Sequence, residues 1–208
     1  MTACIVLCGV LTILPRVHGH PFAKPDVSPH LTLMGFTLEK NTLSDVQNKL
    51  GISTAGACSE DVEASKMTCY VSAGPDRTEI LFESGFAGGW SRLDGFKVVS
   101  GNFSSKCHLQ CKVTDAVGKG VQTSGGLKLG MTEKELVALL GRPIRFRGNQ
   151  IKFEWWSKRP MTKVEIAQET KTFKDPVTRP YWDVHDTIEV VMRESEVAEF
   201  EIQHTVTY

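Results

Sequence analysis

The stretch GGLKLGMTEKELVALLGRP, residues 125–143, constrains this chain most, because it specifies a complete helix too short to stand alone. The Thr132 hydroxyl can accept a free backbone N–H of the first turn, and Glu135 can reach back to the Thr132 N–H, which makes a capping box. Leu136, Leu139 and Leu140 follow at helical spacing, so one face is apolar. Glu133 and Glu135 suit the positive N-terminal end. Gly141 stands where a left-handed C-terminal cap is needed, and Pro143 blocks continuation. A helix of about nine residues is marginal in water. Its leucines must dock on something, and a sheet is the expected platform.

The phrase occurs twice. NTLSDVQNKLG, residues 41–51, matches MTEKELVALLG, residues 131–141, at a constant offset of 90. Thr42 matches Thr132, Asp45 matches Glu135, Val46 matches Leu136, Leu50 matches Leu140 and Gly51 matches Gly141. Such self-similarity points to a duplicated unit. Strand-like segments follow each copy. KMTCYVS, TEILFES and SRLDGFKVVS follow the first; IKFEWW, TKVEIAQET, TIEVVMRES and AEFEIQHTVTY follow the second. Ile151, Phe153 and Trp155 alternate with Lys152 and Glu154, as in an antiparallel strand with one buried face. The glycine-rich stretch at 117–126 reads as the joint. The expected fold is therefore α+β: two tandem units at 31–117 and 125–208, each of short helices packed on a small antiparallel β-sheet.

The second copy, L-x-L-G-M-T-x-x-E-L-x-x-L-L-G-x-P over residues 127–143 with the aromatic strand after it, resembles the BamE/SmpA-type outer-membrane assembly lipoprotein domain. The tandem arrangement also resembles the β-lactamase inhibitor proteins. The resemblance implies helices on a small antiparallel sheet and a role in binding other proteins. The chain departs from the lipoprotein group in lacking a lipobox, since Leu7 precedes Cys8.

The apolar run at residues 3–14 is too short to span a bilayer and suits the core of a signal peptide, although no Lys or Arg precedes it. A signal over 1–19, cut after Gly19 or alternatively after Ala23, and an extended, proline-rich lead-in over 20–30 are expected. Beyond the signal, Cys58, Cys69, Cys107 and Cys111 are the disulfide candidates; an even count in an exported chain suggests two bridges. Of three connectivities the local one, Cys58 with Cys69 and Cys107 with Cys111, is the simplest. The rival reading is a zinc site around Cys107, His108 and Cys111. Asn102-Phe103-Ser104 is a glycosylation sequon relevant only in a eukaryotic secretory pathway.

With 24 basic and 24 acidic residues, no whole-molecule field steers the chain to nucleic acid or an anionic membrane. No HExxH, GxSxG or phosphate-loop motif is present. Asp183, His185 and Asp186 could form an acid/base group, the alternative being a polar turn before a strand at Thr187; His204 reads as an ordinary strand residue. The aromatics say more. Adjacent Trp155 and Trp156 should point to opposite faces of one strand. Tyr181 and Trp182 fall in a proline-containing loop, and Arg145, Arg147, Lys158 and Arg159 flank the tryptophans. Exposed Trp and Tyr are frequent binding anchors. The expectation is an exported, non-catalytic protein-binding module of the periplasm, cell envelope or exterior. Trp156, Tyr181, Trp182, Arg145 and Arg147 are its candidate contacts. Another protein is the expected partner, with no nucleic acid, transmembrane span, cofactor or metal. The alternatives are a hydrolase using His185 with Asp183 or Asp186, and the Cys/His metal module.

Overall fold

Both capped helices form as their punctuation requires. Helix α1 spans Leu43–Leu50 and helix α2 Glu133–Leu140, each behind a complete capping box. The Thr42 amide donates to Asp45 at 2.8 Å and the Thr132 amide to Glu135 at 2.8 Å. These backbone bonds hold the Asp45 and Glu135 carboxyls below the usual carboxylate range. Gly141 ends α2 at φ 80°, ψ −159°, a region essentially reserved for glycine, and its amide returns to the Val137 carbonyl. The side of this glycine on which a side chain would project also lies against Pro25, whose ring would stand 3.0 Å from a Cβ there.

The computed structural model describes residues 25–53, 66–85, 91–101, 110–174 and 176–207. A 3-10 turn, Ser28–Leu31, precedes a small hairpin of β1 (Thr32–Leu33) and β2 (Phe36–Thr37). The described end of the expected lead-in is thus partly a turn, with His30 buried, rather than extended chain. The remaining strands are β3 (Lys66–Ser72), β4 (Thr78–Ser84), β5 (Gly95–Ser100), β6 (Lys112–Thr114), β7 (Arg145–Arg147), β8 (Gln150–Pro160), β9 (Tyr181–Arg193) and β10 (Glu196–Thr207).

These eight strands form one sheet in the order β6-β3-β4-β5-β10-β9-β8-β7. The expected pair of tandem units, each on its own small antiparallel sheet, is therefore overturned. Each half does contain a meander, but β5, which ends the first meander, pairs antiparallel with β10, which ends the second. Pairing two otherwise open edges satisfies their backbone groups and merges what would be two shallow cores. The sheet is also mixed, because β6 lies parallel to β3.

Two apolar rows cross the join without interruption. One runs Tyr70, Ile80, Val98, Phe200, Val190, Ile151; the next carries Phe82, Phe96, Ile202, Ile188 and Phe153. Val46 and Leu50 of α1 and Leu136 and Leu140 of α2 pack into the same hydrophobic cluster. The glycine-rich stretch joins it too, with Val117 and Leu127 buried and Ser124 N–H bonded to the Thr32 carbonyl.

Two local expectations are corrected. TKVEIAQET is not a strand: it belongs to helix α3, Lys163–Phe173, behind a third capping box of Thr162 and Glu165. Its K-V-E-I start alternates like a strand, but the cap decides. Tyr181, Trp182, Asp183, His185 and Asp186 lie in neither a loop nor a polar turn; they form the first half of β9, paired with β8 from Pro160 inward.

The simplest cysteine pairing is also corrected. Cys69 is bonded to Cys111 across 42 residues, not to Cys58, because the parallel β3–β6 ladder begins beside both cysteines. Closing a loop of that size contributes about 4 kcal/mol in the chain-entropy model. Cys58, Cys107, His108 and the sequon lie outside the described residues.

The caps and the docked leucines make separable contributions to this fold. Thr132→Ala is expected to cost about 1 kcal/mol of unfolding free energy and Leu136→Ala about 3–4 kcal/mol, read from urea denaturation midpoints. Equal costs would mean that α2 is not anchored through Leu136.

Candidate binding surface

Strand alternation divides the side chains of the sheet between two faces. The face carrying α1 and α2 is the core. The opposite face differs between its two halves. In the first half Cys69, Glu79, Leu81 and Val99 point to it and are buried. In the second half it is polar and accessible. Lys152, Glu154, Trp156 and Lys158 of β8 stand beside Asp183, His185, Thr187 and Glu189 of β9 and Glu199, Glu201 and Gln203 of β10.

Interleaved charges organise its centre. Lys97 reaches Glu201 at 2.6 Å and Glu199 at 3.1 Å; Lys152 reaches Glu189 at 2.9 Å and Glu154 at 3.2 Å. Burial lowers the Lys97 ammonium pKa, but the two glutamates outweigh it and leave the net shift upward. Lys152 is also raised, chiefly by its bond to Glu189. A groove of about 260 Å3 lies here, lined by Lys97, Arg147, Lys152, Glu189 and Glu201 among others.

The aromatic end lies at the start of β9. Trp156 is 65% exposed, whereas its neighbour Trp155 is buried, as adjacency in one strand predicts. Trp156 sits directly opposite His185 in the β8–β9 register, and the rings stack 3.8 Å apart and 9° from parallel. Nε2 of His185 is shielded and has no hydrogen-bond partner among the described residues. Lys158 lies over the Tyr181 ring at 4.0 Å and reaches Asp183 at 3.9 Å. Trp156, His185, Tyr181 and Lys158 thus share one face, positioned by a long regular hairpin.

The remaining candidates separate from them. Trp182 lies on the helix side, where its indole N–H donates to Glu165 at 3.2 Å. Arg159 turns the same way and donates to Glu165 and Glu39. Arg147 is exposed beside the charged groove, and Arg145 pairs with Lys152 in the ladder. His185 and Asp186 point to opposite faces, so they do not form the pair considered from the sequence. Asp186 instead bonds Nδ1 of His204 at 2.5 Å, while Glu39 bonds Nε2 at 3.3 Å. The disulfide likewise occupies Cys111, which the metal reading needs as a thiolate.

His204 carries a function that its strand position did not announce. Burial disfavours its charge, but Asp186 and Glu39 outweigh burial and raise its pKa to about 9. Both ring nitrogens are engaged, so this histidine ties the β9–β10 pair to the turn after β2. Through Glu39 and Arg159 the chain of contacts continues to Glu165, whose carboxyl is lowered to about 2, first by Arg159 and then by the Thr162 amide. Helix α3 has no buried residue among those described, and this linkage anchors its start. The only sequence signal for it was the Thr162-to-Glu165 spacing.

Searches of protein-family models, curated proteins and solved structures found no match to this chain.

The His204 clamp sets the sign of a pH effect. A folded-state pKa raised above the ordinary 6.5 gives stability that is fully present below pH 6.5 and is lost as pH rises through about 9. Unfolding free energy should fall over that window by roughly 2–3 kcal/mol. His204→Gln should lower stability at pH 6 and flatten the slope, as measured by urea denaturation at stepped pH. A flat profile for the unsubstituted chain would contradict the clamp.

Proposed function

We propose that this chain is an exported, non-catalytic protein-binding module that holds a partner on the helix-free face of β8, β9 and β10. The observation that carries this reading is Trp156. A 65%-exposed indole is held on a regular strand by a stacked imidazole, beside Tyr181 and Lys158. A rigid, exposed aromatic loses little freedom when covered, and such residues dominate binding energy at interfaces. The interleaved lysines and glutamates beyond it form a polar surround that selects partners by charge register.

One observation supports the compartment. Cys69 and Cys111 are joined in a disulfide, which suits an oxidising environment. No helix among the described residues is long and apolar enough to cross a membrane. The resemblance of residues 127–143 to envelope-assembly lipoprotein domains points to the same role. The periplasm or cell envelope is the compartment this reading favours.

Cross-linking in the native envelope fraction, followed by purification of the joined partner, tests the proposal. Trp156→Ala should weaken that partner roughly 10–30-fold without lowering the melting temperature. Trp182→Ala should instead lower stability and leave affinity nearly unchanged, since its indole faces α3. Equal affinity for Trp156→Ala and the unsubstituted chain would sink the proposal, and so would the absence of a reproducible partner.

A further inference from the structure

Beside this face the sheet has an open edge. Strand β8 is eleven residues long, but β7 pairs only with Gln150, Ile151 and Lys152. The Lys152 carbonyl accepts from Ile144 on the β7 side, whereas the amide of Met161 reaches Pro180 on the β9 side. Backbone direction alternates along a strand, so the amides and carbonyls of Glu154, Trp156 and Lys158 point away from β9. No backbone hydrogen bond from that side reaches them among the described residues. An exposed row of this kind is a template for another strand.

Pockets lie on both sides of this row. On the helix side, a cleft of about 670 Å3 opens between α2 and β8, lined by Val137, Ala138, Leu140, Ile144, Phe153 and Trp155 among others. Ile144 is 61% exposed there. On the other side stands the Trp156–His185 stack. An added strand places alternate side chains on alternate faces, so one enters the cleft while the next covers Trp156. Arg142 borders the cleft, and exposed Lys158, 3.9 Å from Asp183, stands at the far end of the open row. The Glu154 carboxylate is already tied to Lys152.

We propose that β8 captures its partner by strand addition along residues 154–158. The occupant is an extended segment of another protein, apolar where it faces α2 and acidic at its ends. This rests on the protein-binding reading and specifies its geometry: main-chain bonds supply register, the cleft selects an apolar side chain, and Trp156 covers the next.

Amide hydrogen exchange on the dilute full-length chain tests this, using as probe a capped peptide of alternating leucine and threonine with a glutamate at each end. In the free chain the amides of Glu154, Trp156 and Lys158 should exchange at least roughly 100-fold faster than those of Phe153, Trp155 and Ser157. The probe should slow those three, while the same peptide N-methylated at its edge-facing amides should not. Ala138→Glu, on an exposed wall of the cleft, should weaken the probe about tenfold or more through an unpaired charge at the apolar contact. The proposal is overturned if millimolar probe leaves the three amides unprotected. It is also overturned if they are protected in the dilute free chain, because the edge is then covered by this chain itself. Protection that grows with protein concentration alone overturns it in favour of a second copy. If the native partner binds through Trp156 while the three amides exchange freely, strand addition fails and the face-binding reading stands.

Discussion

The pairing of β5 with β10 is the contact on which the rest of the molecule depends. It places Phe96 opposite Ile202 and Val98 opposite Phe200, so the apolar rows of the two halves become continuous. Alone, the first half would present the β3–β5 meander with the short helix α1, and the second the β7–β10 meander with α2 and α3; a helix of about eight residues contributes little stability by itself. Joined, the halves bury the leucines of α1 and α2 in one cluster. The capped-helix phrase that occurs twice in the sequence thus forms two matching helices on a shared sheet.

A shared sheet also makes the two halves unequal. Away from the helices, the first half buries Cys69, Leu81 and Val99, and its β3–β6 border is closed by the disulfide. The second half carries charges, a stacked Trp156 and a strand that outruns its neighbour. The feature most like a binding device therefore lies where the sheet is least covered. The His204 clamp supports it from behind: Asp186 of β9 and His204 of β10 face each other across the ladder, and Glu39 ties them to the turn after β2. Rigidity at that place fits the proposed role, in which the surface would bind without rearranging.

Much of the local structure was legible. The T-x-x-D and T-x-x-E caps identified α1 and α2, and KMTCYVS and TEILFES are β3 and β4 residue for residue. Adjacent tryptophans gave opposite faces, one buried and one exposed. The misreadings have physical causes. Alternation of Lys163, Val164, Glu165 and Ile166 masked the same cap that identified the other helices. The nearby prolines suggest a loop at Tyr181 and Trp182, but Pro180 falls just before β9 begins. The β5–β10 join and the Cys69–Cys111 bridge are long-range contacts, and local pattern carries no information about which edges meet. His204 looked ordinary because its partners stand 18 and 165 residues away.

The central claim is that both halves form one cooperative body through β5 and β10. Differential scanning calorimetry under non-reducing conditions tests it most directly, by comparing the van't Hoff enthalpy of unfolding with the calorimetric enthalpy. One sheet and one core predict a single transition with the two enthalpies equal. Two transitions, or a van't Hoff enthalpy near half the calorimetric value, would mean that the halves unfold independently and would contradict the account.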